Sequence, residues 1–213
     1  MENLQYLIDI FLHIDKHLAS LIAQYGALTY GLLFLVIFME TGLVVTPFLP
    51  GDSLLFAAGA LAASGSFNIL FLYILLLLAA VIGDSVNYWI GDKLERKVFD
   101  GRSRFFKKEY LDQAEEFYQK HGGKAIVFAR FVPIVRTFAP FVAGISKMHY
   151  GRFITFNIIG GFSWITLFLL GGYAFGNVPF FKENFHYMVV MIIGISVVPI
   201  LVEVTKRKKK TIE

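Results

Sequence analysis

FARFVPIVRTFAPFVAGISKM, Phe128 to Met148, decides how this chain folds. The stretch is mostly apolar, yet it carries Arg130 and Arg136. Arginine inside an apolar segment is costly and marks ion or substrate pathways in membrane proteins. Pro133 and Pro140 interrupt the run and Gly144 closes it, which argues against one straight spanning helix. The run is too short to cross a bilayer, turn and cross back. It is therefore expected to be a re-entrant hairpin over 125–147. Non-helical backbone at that depth is tolerated only where protein buries it or a wet cavity is lined by it.

Composition agrees with a bilayer setting. Of 213 residues, 56% are hydrophobic, and the 23 Phe exceed every other aromatic type. Soluble domains are about 45–50% apolar. Several apolar runs reach the roughly 20 residues a spanning helix needs. The net charge of +4 is no nucleic-acid signal, because Lys and Arg sit in blocks between apolar runs, as topology signals do. The absence of Cys excludes disulfides, thiolate metal sites and Cys nucleophiles. The N-terminus has no basic n-region or small-residue cleavage site, so no removable signal peptide is expected.

Outward from the hairpin, the expected fold is an all-α polytopic membrane protein in one domain. Residues 3–25 have apolar positions at helical spacing with scattered charges, which suits an amphipathic interfacial helix. Residues 28–46 form a membrane helix holding Glu40. Pro47, Pro50 and the Gly51-Asp52 turn signal open a second re-entrant element over 47–63, rich in small residues. Residues 69–91 form a span. Asp84, Asn87, Tyr88 and Gly91 share one face near its end. For Asp84 two readings stand: an interfacial polar cap, or a stripe facing the cavity. For Asp92 the interfacial cap is the reading.

Residues 92–124 hold nine Lys/Arg and seven acids and read as a cytoplasmic amphipathic loop. Spans follow at 152–176 and 187–204, then a basic tail at 205–213. Gly172 and Gly176 in the first of these form a GxxxG pair, suited to packing on a hairpin or on a second copy in a homodimer. Fixing the basic tail in the cytoplasm places both termini there. The two hairpins then open to opposite faces. FLPGDSLLFAAG echoes FVPIVRTFAPFVAG, so an inverted repeat with a midplane site is expected.

Glu40, Asp52, Arg130 and Arg136 are the charges placed inside the membrane. On a straight helix Glu40 and Asp52 would lie about 18 Å apart along the axis, and only a folded-back chain brings them together. One reading is purely structural: buried ion pairs of Glu40 and Asp52 with Arg130 and Arg136, which pin the hairpins. The other is functional: the arginines grip an anion, most naturally a phosphate, bidentately. The carboxylates would then exchange arginine for a proton, since a carboxylate taken out of water is more readily protonated. Asp84, Asn87, Pro50 and Pro133 are candidate cavity-lining residues.

ETGLVVTPFLPGDSLLFAAGALA, GDSVNYWIG and HGGKAIVFARFVPIVRTFAPFVAG resemble the bacterial DedA family of inner-membrane proteins, and the similarity spans nearly the whole chain. The wider superfamily includes SNARE-associated and VTT-domain lipid scramblases. The resemblance implies two opposed re-entrant hairpins. It also implies return of undecaprenyl phosphate across the cytoplasmic membrane, with protons as a coupling partner. By motif position, the family's essential acids match Glu40 and Asp52, and its essential arginines match Arg130 and Arg136.

The alternatives are a proton-coupled exporter of cations or small drugs, a phospholipid scramblase and a membrane enzyme. Arginines repel cations, which weakens the exporter. His13, His17, His121, His149 and His186 fall in interfacial or loop positions, with no Ser-His-Asp or His-metal arrangement, so no enzyme, metal or other cofactor is expected. Lipid phosphate, protons and membrane lipids are the expected partners.

Overall fold

The structure, a computed structural model, describes residues 14–43, 51–94, 118 and 122–178. Every element among them is helical. The order is α1 (Ile14–Tyr25), α2 (Leu28–Gly42), α3 (Gly51–Ala63), α4 (Ile69–Lys93), α5 (Lys124–Ala129), α6 (Pro133–Ile145), α7 (Tyr150–Ile165), a π turn (Thr166–Leu170) and α8 (Gly171–Gly176).

The 25 residues of α4, and the 27 of the continuous run Tyr150–Gly176, are long and apolar enough to cross a membrane. At 1.5 Å per residue they extend about 38 and 40 Å, against a hydrocarbon core of about 30 Å. These bounds extend the expected spans 69–91 and 152–176 by two residues each. Large apolar side chains point outward along both: Leu70, Phe71, Ile74 and Leu78 on α4, and Ile158, Ile159 and Phe162 on α7. A soluble protein would not leave so much apolar surface bare, whereas lipid covers it. The helix expected over 28–46 runs to Gly42, and residues 44–50 lie outside the described residues. So do residues 3–13, most of 92–124, the span expected at 187–204 and the basic tail.

The chain groups into two units. The first comprises Met1–Val36, Leu49–Leu76 and Trp164–Glu213. Its centre is α3, buried along most of its length. The sequence LLFAAGALAA has almost no bulk at its second half, and glycines answer it from α8. A Cβ on Gly59 would overlap Leu169 O, and one on Gly172 would overlap Phe56 O. A Cβ on Gly176 would lie 2.6 Å from Ala60 Cα. The GxxxG pair is thus spent inside the chain, holding α8 against α3 at backbone contact. The π turn sits where this packing begins, and Thr166 and Tyr73 share a hydroxyl hydrogen bond of 2.7 Å there. Asn68 caps α4, its Oδ1 accepting from the Phe71 N–H at 3.0 Å.

The second unit comprises Ile37–Phe48 and Leu77–Ser163. Helices α2 and α4 cross at glycine, where Gly42 and Gly83 leave their backbones in contact. Helices α4 and α6 cross where a Cβ on Gly91 would overlap Phe141 O and one on Gly144 would overlap Tyr88 O. Tyr88, Ile126, Ala143 and Phe153 form one buried cluster of this unit, with the Tyr88 and Phe153 rings stacked at 4.5 Å.

The organising stretch is broken at Pro133, whereas Pro140, also expected to interrupt it, lies inside the helix Pro133–Ile145. Helix α5 ends at Ala129, and Phe131 and Val132 fold back through i→i−3 bonds to Phe128 O and Ala129 O. Val132 is extended at φ −119°, ψ 106°, as a residue before proline prefers. Pro133 then opens α6 at its first turn, where its missing N–H costs nothing.

Candidate functional site

The break sets the two arginines on different supports. Arg130 sits in the turn after α5, and Arg136 on the first turn of α6. Both are buried, at 2% and 4% exposure. In an apolar unit such burial demands partners.

Arg136 Nη2 donates to Glu40 Oε1 at 2.6 Å, and Glu40 is fully buried on the last turn of α2. This is one of the ion pairs expected from the sequence. Arg130 Nη2 donates to Asp84 Oδ2 on α4 and to Asn157 Oδ1 on α7. Asp84 is 1% exposed and ion-paired, so its carboxylate is not a solvated one. Gly160 and Gly161 make room for Arg130. A Cβ on Gly160 would lie 3.0 Å from Arg130 Cδ, and one on Gly161 3.7 Å from Cζ.

Two asparagines fix these partners. Asn87 Nδ2 donates to Thr41 O at 3.1 Å and to Thr137 O at 2.7 Å. Those carbonyls belong to the residues that follow Glu40 and Arg136, so a single amide ties α2 to α6 beside the ion pair. Asn157 Nδ2 donates to Val81 O at 3.0 Å, which turns its Oδ1 towards Arg130. Asn87 is fully buried on the polar face of α4. Asn157 escaped the sequence reading. The signal was present, since a lone amide in the apolar run FITFNIIGGF must find partners.

Asp52 lies in the first turn of α3, in the first unit, and accepts from Trp164 Nε1 at 2.8 Å. The Trp164 ring is fully buried just ahead of the π turn. This indole was also missed by the sequence reading. Pro50 lies outside the described residues, and Pro133 occupies the first position of α6. Asp92 is paired with Lys147 at 2.8 Å, with both side chains well exposed. Tyr118 reaches in from the polar segment, and its hydroxyl donates to Ala139 O at 2.6 Å. Burial pushes its phenol above the ordinary value, and the charge of Asp84 pushes it further, so the donor is retained.

The assembly is thus a buried set of two cations and two carboxylates, Glu40, Asp84, Arg130 and Arg136, held by amides and set among glycine clefts. Guanidinium groups in a low-dielectric setting suit an oxyanion ligand.

Comparison with known proteins places the chain. The family profile for the VTT domain matches residues 49–174. Protein DedA of Escherichia coli K12 is 50% identical over 212 residues, which covers 98% of this chain and 97% of that protein. An uncharacterized membrane protein of Mycobacterium tuberculosis is 42% identical, with 82% and 78% covered. The inner membrane protein YqjA of Escherichia coli K12 is 36% identical, with 72% and 70% covered. No solved structure matches. With a VTT domain over more than half its length and half its residues shared with DedA end to end, the chain belongs to the DedA family of VTT-domain membrane proteins.

Proposed function

We propose that this protein moves a lipid phosphate across the cytoplasmic membrane, with undecaprenyl phosphate as the cargo returned for reuse. The observation that carries the reading is the buried pair of arginines on either side of a proline break, each held by a carboxylate. A phosphate is the ligand for which such arginines are the best match, because a guanidinium can donate to two of its oxygens at once. Arg130 and Arg136 are the proposed phosphate ligands. Glu40 and Asp52 are the proposed proton-coupling acids. When phosphate takes Arg136, Glu40 is left buried without its cation, and a proton replaces it.

Helix lengths support the re-entrant reading. Helices α3 and α6 have 13 residues each, about 20 Å, which is short of the hydrocarbon thickness. In the proposed arrangement each belongs to a re-entrant hairpin of an inverted repeat, Asp84 and Asn87 line the substrate path, and both termini are cytoplasmic. The apolar, Phe-rich walls accept the isoprenoid tail.

Transbilayer movement of labelled undecaprenyl phosphate in proteoliposomes tests this. Wild type is expected to move the phosphate but not undecaprenol, and faster with a pH gradient than without. Equal movement of phosphate and alcohol would point to unselective scrambling and overturn the proposal.

A further inference from the structure

Two buried oxygens on one face of α4 have no donor. Asp84 Oδ1 and Asn87 Oδ1 accept no hydrogen bond among the described residues. The residues are 1% and 0% exposed. They stand three positions apart, where helix neighbours have Cβ atoms about 5–6 Å from each other.

Neither oxygen can be relieved by turning the side chain. Both amide hydrogens of Asn87 are used, on Thr41 O and Thr137 O, and a flipped amide would set its oxygen against two carbonyls. Asn87 Oδ1 is therefore fixed as an acceptor. Asp84 Oδ2 is engaged by Arg130, and an ionised carboxylate has nothing to donate from its other oxygen. Buried acceptors without donors are rare and call for an explanation.

We propose that Asp84 carries a proton on Oδ1, its hydroxyl directed to Asn87 Oδ1, and that this is a further binding site for the transported proton beside those proposed at Glu40 and Asp52. The second half of this statement rests on the transport reading, while the first stands without it. Uptake forms one O–H bond from a lone pair of Oδ1, with the proton drawn from water, and breaks no other bond. Arg130 Nη2 still has Oδ2 as acceptor in either form.

The charged and titratable groups around Asp84 set the consequence. They are Arg130 in the turn after α5, Arg136 on α6, Glu40 on α2 and the Tyr118 phenol; α7 contributes the neutral Asn157. With Asp84 ionised, the charges of Glu40, Asp84, Arg130 and Arg136 cancel. With Asp84 protonated, the same cluster carries one net positive charge and attracts an anion. Proton and anion then favour each other's binding by the same factor, as linkage requires.

Infrared spectroscopy of the purified protein tests the proton directly. Wild type at neutral pH is expected to show the carbonyl stretch of a protonated carboxylic acid, shifted in heavy water and shifted by aspartate labelled with carbon-13. The band is expected to be missing in Asp84→Asn, whose amide hydrogen replaces the proton towards Asn87. Identical acid bands in wild type and folded Asp84→Asn would overturn the proposal, and a water molecule would then be the missing donor. Should Asp84→Asn not fold, the labelled wild type alone decides: an acid region untouched by aspartate labelling overturns it, and a labelled band that moves in Asn87→Leu supports it. In proteoliposomes, Asp84→Asn is expected to lose the dependence of flux on the pH gradient. Gradient dependence retained in that variant would overturn the coupling role. If wild type moves no undecaprenyl phosphate, the transport reading fails while the infrared result still decides the proton.

Discussion

The two units solve the same packing problem in different ways. Where α3 meets α8, Gly59, Gly172 and Gly176 bring backbones into contact. Between Phe56 and Ala60 that seam has only apolar and small side chains. Where α4 meets α2 and α6, Gly83, Gly91 and Gly144 achieve the same closeness, yet the seam also buries Glu40, Asp84, Arg130 and Arg136. Small residues alone can hold helices together in this chain. The ions of the second seam are therefore not needed for adhesion, and apolar replacements of buried ion pairs are often neutral or stabilising. That contrast is the physical reason to assign the ions a task.

The contrast is open to attack, starting from the largest effect. Gly59→Leu forces a side chain into the backbone of the neighbouring helix, and a cost above about 4–5 kcal/mol, the extreme for single substitutions, is expected. Size-exclusion chromatography would show aggregate in place of a monodisperse peak. A well-behaved Gly59→Leu protein would mean that the first seam is looser than described.

Arg136→Leu comes next. It leaves Glu40 buried without its cation, and loss of about 3–5 kcal/mol is expected. The double variant Glu40→Leu/Arg136→Leu is expected to regain most of that stability by thermal unfolding in detergent, while lipid-phosphate flux stays absent. Flux at the wild-type level in the double variant would reduce the pair to a structural role.

Asn87→Leu removes the amide that ties Thr41 O to Thr137 O. It is expected to cost about 1–3 kcal/mol, because two buried carbonyls lose a donor. The smallest effect is expected for Asp92→Asn, which breaks only an exposed pair with Lys147. Its unfolding free energy should stay within about 1 kcal/mol of wild type, and a larger loss would show that this end of α4 depends on the pair.

Much of this was legible in the chain. The span now seen as Ile69–Lys93 follows from an unbroken apolar run. The break between Arg130 and Arg136 follows from Pro133, whose ring dictates the backbone of Val132. That Glu40 would meet an arginine follows from the cost of burying either alone. The partners of Arg130 were not legible in this way. Asp84 and Asn157 are 46 and 27 residues from it, and no local periodicity encodes which polar side chain meets which across a helix crossing. The Trp164–Asp52 bond spans 112 residues and is hidden for the same reason. The π turn left no mark that propensity could read, because TLFLL is as good an α-helix as its neighbours.

The central claim is that Arg136, released by Glu40, holds a phosphate. Ligand-induced thermal stabilisation in detergent measures it most directly, with a short-chain polyprenyl phosphate and its alcohol compared on wild type and on Arg136→Ala. At a free concentration about a hundred times the dissociation constant, binding adds about 2.7 kcal/mol to stability. Stabilisation of wild type by the phosphate alone, absent in a folded Arg136→Ala protein, is the predicted result. Equal stabilisation by phosphate and alcohol, or stabilisation that survives the loss of Arg136, would contradict it.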